Sequence, residues 1–145
     1  MPHTLVVGPS SFETCSSVAR AFRRAGWAAE AATFDMGQSR SRYWIRRIAR
    51  YTGSLARFEH TVFNRFLRTS VAPQIASERP DLVLFVKPYP VAAANLQALR
   101  TSGVRIVTWA TDSLTRLEGQ DALQAAADRR YVMDGGDAGD RSAEW

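Results

Sequence analysis

Three short apolar runs constrain this chain most. TLVVG (4–8), PDLVLFV (80–86) and VRIVTWA (104–110) do not alternate apolar with polar residues over their hydrophobic stretch. A strand with one wet face alternates, because successive side chains point to opposite sides. Uninterrupted runs of this length read as strands buried on both faces, the condition of a parallel sheet covered by helices. Helical patterns follow them. SSVARAFRRAG (16–26) spaces Val18, Ala19, Phe22 and Ala25 helically and stops at Gly26. VAAANLQALRTSG (91–103) is a second helix, stopped by Gly103.

The alternation of strand and helix argues for an α/β fold, an open Rossmann-like parallel sheet with helices on both faces. WAAEAATFD (27–35) is a weaker, alanine-rich second strand, QDALQAAAD a short helix and RRYVMD a last strand. Between strands 2 and 3 lies a long helical insert, 39–77. There Trp44, Ile48, Tyr51, Leu55, Phe58, Val62 and Phe66 step by three or four and fall on one stripe, read as core. Arg42, Arg46, Arg50, Arg57 and Arg68 fall opposite, read as a solvated face. Gly53 predicts a break into two helices, and Pro73 a boundary or kink. The organisation expected is one domain over 3–134 and a disordered tail over 135–145, where no apolar period remains.

A net charge of +5 raises nucleic acid as a partner. The charge is concentrated, however: residues 40–68 carry eight arginines against Glu59 alone. Nucleic acid is therefore not the expected partner, and polyanion binding through helices 40–68 stays as an alternative. Cys15 is the single cysteine, so no internal disulfide forms. That fits a reducing, cytoplasmic setting. The first strand starts too early for a signal peptide, and no apolar run approaches the roughly 18 residues of a membrane span.

Ligands of open parallel sheets bind beyond the carboxyl ends of the strands. Three loops leave such ends. GPSS (8–11) leads toward a helix N-terminus, where free N–H groups favour an anion; Gly8, Ser10 and Ser11 are its candidate ligands, with a plain serine-capped turn as the other reading. KPYP (87–90) holds Lys87, the single lysine beside eighteen arginines, and Tyr89, a further candidate binding residue. Lys87 reads as a point charge for phosphate or carboxylate, or as an ion-pair partner of Asp112 or a plain surface residue. In VTWATDS (107–113), Trp109 reads as a binding residue and Asp112 as a general base for a sugar hydroxyl, or as a helix cap or turn residue. His3 and His60 have no ligand partners near in sequence, so no metal site is expected. Response-regulator chemistry needs acidic residues after the first strand and an aspartate after the third. Pro9, Ser10 and Lys87 stand there instead, so that reading is set aside.

The ordered set LVVGPSSFETCSSVARAFRRAGWAAEAATFD, RPDLVLFVK and LQALRTSGVRIVTWATD resembles the N-terminal half of CgeB-like glycosyltransferases, GT-B enzymes related to a spore-maturation protein. The resemblance covers about residues 4–134. It departs where Asp112 precedes Ser113 and Leu114, and where Lys87 precedes Pro88 rather than glycine. It implies the acceptor-side domain of an enzyme that transfers sugar from a nucleotide donor. A sugar acceptor or anionic small molecule is then the partner, and a separate or downstream domain holds the donor. It assigns no cofactor besides that donor, and it implies that this domain does not catalyse transfer alone. A non-catalytic module binding a small molecule or partner through the same loops is the alternative.

Overall fold

The computed structural model describes residues 1–10, 13–35, 39–111 and 121–132. Its elements run β1 (His3–Pro9), α1 (Thr14–Arg24), β2 (Ala28–Phe34), α2 (Arg40–Tyr51), α3 (Leu55–Phe66), a π-helical turn (Leu67–Val71), α4 (Ala72–Glu78), β3 (Leu82–Val86), α5 (Ala93–Thr101), β4 (Arg105–Ala110), α6 (Asp121–Ala126) and β5 (Arg129–Val132). The five strands form one parallel sheet in the order β2-β1-β3-β4-β5.

The α/β class and the helical insert between β2 and β3 are present; the Rossmann-like topology is not. In the Rossmann order 3-2-1-4-5, β1 lies between β2 and β4. Here β1 lies between β2 and β3, with Thr4–Val7 paired to Leu82–Phe85. A strand buried on both faces is apolar throughout, so it carries no mark of which strand will flank it.

Alternate residues of the apolar runs feed two cores. Leu5, Val7, Val83, Phe85 and Ile106 meet Phe63, Leu67, Val71, Ile75, Leu99 and Leu123 on one face. Val6, Leu84, Val86 and Val107 meet Cys15 and Ala19 of α1 on the other. Each such large apolar side chain contributes about 1.5–3 kcal/mol on burial. Inside the first core, Phe34, Phe63 and Tyr89 bring their rings together with centroids 5.2–5.6 Å apart.

The helical insert departs from the expected stripe. The helix does break at Gly53, whose φ of 70° suits glycine. Beyond the break, the buried line is Phe63, Leu67, Val71 and Ile75. In an α-helix a step of four drifts by about 40°. The wider π turn at Leu67–Val71 takes up part of that drift and keeps the line on the sheet. Pro73 falls where the π turn passes into α4, the boundary the sequence predicts. Before the break the stripe is not core: Trp44, Ile48 and Tyr51 are 53%, 60% and 77% exposed. Gly53 redirects the chain, so the faces of α2 and α3 no longer form one surface. The expected tail, 135–145, lies outside the described residues.

Candidate functional site at the carboxyl edge of the sheet

Because all strands run the same way, β1, β3 and β4 end on one edge with Pro9, Val86 and Ala110. The chain leaves β1 toward β2 on one side and returns as β3 on the other. The β1/β3 boundary is thus the topological switch point, where open α/β sheets hold ligands. Lys87 follows β3 directly and stands at this boundary. Its backbone N–H donates to the Trp109 carbonyl at 2.8 Å, which carries the β3–β4 ladder one residue past the strand. Lys87 is half-buried and has φ 52°, a left-handed conformation rare for a residue with a side chain.

The loop after Lys87 is tied down from α3. Pro88 and Tyr89 are buried. Asn64 Nδ2 donates to the Pro90 carbonyl at 2.9 Å, and Asn64 Oδ1 accepts from the Ala92 N–H at 2.6 Å and from Asn95 Nδ2 at 2.9 Å. Asn64 thus caps the start of α5, whose own Ala92 has no side chain to do so. Sequence reasoning missed Asn64. Its signal was a polar residue between Phe63 and Phe66, at the buried edge of an apolar stripe.

The other expected site residues are placed as follows. Gly8 is packed rather than open: a Cβ there would lie 2.6 Å from Cys15 Sγ and 2.7 Å from the Val86 carbonyl oxygen. Ser10 gives its N–H, at 3.0 Å, and its hydroxyl, at 3.2 Å, to the Phe34 carbonyl, so the expected anion cradle loses both donors to β2. Glu13 stands at the start of α1 with φ 52° and puts a carboxylate where the helix dipole favours negative charge. Tyr89 is 6% exposed, its ring within the aromatic core. Trp109 is half-buried on the α1 face, packed against the second core. Ser11 and Asp112 lie outside the described residues.

Two further groups shape the edge. Asp35 follows β2 there; its carboxylate accepts from the Ser39 N–H at 2.9 Å and its carbonyl accepts from Arg42, which fastens the start of α2. Cys15 lies under the edge, and burial pushes its thiol up to about 11 from the usual value near 9.0. At neutral pH it is a protonated packing residue, not a nucleophile. Among the described residues no three His, Cys, Asp or Glu side chains converge to hold a metal ion.

No protein-family model matches the sequence, and no curated protein does. Solved structures match. The response regulator TrrA of Thermotoga maritima, in complex with Mg2+-BeF, matches with a TM-score of 0.51 at 14% identity, over 93% of this chain and 89% of its own. The N-terminal domain of a response regulator receiver protein from Methanoculleus marisnigri JR1 matches with a TM-score of 0.50 at 12% identity, over 92% and 85%. The fold is that of a receiver domain. Its strand order, 2-1-3-4-5, is the flavodoxin-like one. At these identities the likeness carries the fold and no activity.

This corrects the glycosyltransferase resemblance. The motifs behind it were strand ends and turns that any parallel α/β sheet supplies, and the receiver match spans nearly the whole chain. The acceptor-side role, the nucleotide-sugar donor and the missing donor domain lose their basis with it. Setting the response regulators aside is corrected too, as far as the fold goes. Pro9, Ser10 and Lys87 speak about phosphoryl chemistry, not about topology.

Proposed function

We propose that this chain is a receiver-like signalling domain that works by docking, without accepting a phosphoryl group. The observation that carries this reading is the pair of residues after β1 and β3, Ser10 and Lys87. A phosphoryl acceptor at this edge requires a carboxylate nucleophile after β3 and acidic residues after β1 to hold a cation. Lysine offers neither an oxygen nucleophile nor a negative ligand. Ser10 has its hydroxyl turned to the Phe34 carbonyl. The signalling role itself rests on likeness of fold and is an analogy.

The test uses the group bound in the TrrA structure. Mg2+ and beryllofluoride are added to the 15N-labelled chain while backbone amide resonances are followed. The amides of Gly8, Ser10 and Lys87 are expected to stay in place. A saturable shift of these three would overturn the proposal.

A further inference from the structure

Helix α2 carries a surface that the fold does not use. Its one buried residue is Ala49. Tyr43, Trp44, Ile45, Ile48 and Tyr51 are each about half exposed or more, from 49% to 77%. At 100° per residue, Tyr51, Trp44, Ile48 and Ile45 share an arc of about 120°. Arg40 and Arg47 border that arc on one side, and the buried Ala49 borders it on the other. The helix has no acidic residue and five arginines. Arg46 is turned inward to Glu59 of α3 at 3.0 Å and Arg42 donates to the Asp35 carbonyl, which leaves Arg40, Arg47 and Arg50 for the outside.

The arginines are also arranged. Tyr43, Arg46, Arg47, Arg50 and Tyr51 line a cleft of about 240 Å3 beside the arc. Arg47 lies 5.5 Å from the centroid of the Trp44 ring and donates to the Tyr43 hydroxyl at 3.4 Å. Its guanidinium is therefore held at the level of the aromatic rings. A cationic cleft adjoins an apolar ridge on a helix with a single buried residue.

We propose that α2 seats on the surface of an anionic lipid bilayer. Trp44, Ile45, Ile48 and Tyr51 enter the boundary between headgroups and acyl chains, and Arg40, Arg47 and Arg50 contact lipid phosphates. Twelve residues give a helix of about 18 Å, short of the bilayer's hydrocarbon thickness of about 30 Å, so it lies in the plane of the interface. Among the described residues no helix is long and apolar enough to cross a membrane. Nucleic acid would match the arginines but leave the isoleucine ridge in water. A second copy of α2 would bring like charges together. The inference goes beyond the receiver-like reading and does not depend on it.

The test is flotation of the whole chain with vesicles of phosphatidylcholine alone, or with about one-third phosphatidylglycerol. Binding is expected on the anionic vesicles, at least about tenfold tighter than on the neutral ones, and weaker in high salt. The double variant Ile45→Ser, Ile48→Ser is expected to lose about tenfold or more. Arg47→Gln with Arg50→Gln is expected to lose about thirtyfold. All four positions are exposed, and circular dichroism checks that the variants keep their helices. Equal binding to both vesicles, or to neither, overturns the proposal. So does competition by millimolar glycerol phosphate, which would make the cleft a site for a free phosphate. Binding of short duplex DNA that survives the isoleucine changes, with no vesicle binding, overturns it in favour of nucleic acid.

Discussion

At Gly8 the backbone of β1 is flanked by Cys15 of α1 and the carbonyl of Val86 in β3, both nearer than a Cβ tolerates. Gly8→Ala must push both away. A loss of about 1–3 kcal/mol is expected, read as a lower urea midpoint at unchanged slope. Adding Cys15→Ala removes the sulfur but not the carbonyl, so the loss persists. A midpoint equal to that of the parent chain would contradict this. In the sequence, Gly8 was legible as a place of close approach but not as to what approaches. A glycine after an apolar run marks either a ligand or another piece of chain, and Cys15 and Val86 become its neighbours only through folding. Lys87 was legible in the same partial way. Its place at the end of β3 followed from the apolar run before it. Its left-handed backbone and its bond to Trp109 did not, because they depend on β4.

Periodicity reports that an element has an apolar face; it does not report what covers that face. This is why β1, β3, β4 and most of the helices were legible, whereas α2 was misread as core. Its stripe is as regular as that of α3, but Gly53 turns it outward. The two helices should therefore respond differently to the same loss of apolar surface. Trp44→Ser and Ile48→Ser are each expected to change unfolding free energy by no more than about 0.5 kcal/mol. Phe63→Ala, at 1% exposure beneath Phe34, Phe85 and Tyr89, is expected to cost about 3–5 kcal/mol. Chemical denaturation of the three variants checks it. A loss of several kcal/mol at Trp44 would mean that α2 packs on the body after all.

For the whole molecule, the α/β class was legible and the strand order was not. Runs such as LVLFV pair equally well with any parallel neighbour, and the order follows from where the helices pack. The order matters more than any single residue here, because it creates the β1/β3 switch point and puts Lys87 beside the end of β1. The most direct measurement is the pattern of interstrand proton contacts by NMR in the labelled chain. With β3 beside β1, cross-peaks are expected between the backbones around Val6 and Leu84 and around Val7 and Phe85, and on the other side of β1 around Val6 and Ala31. Contacts between β1 and β4, around Val6 and Val107, with none between β1 and β3, would restore the Rossmann order and contradict the account.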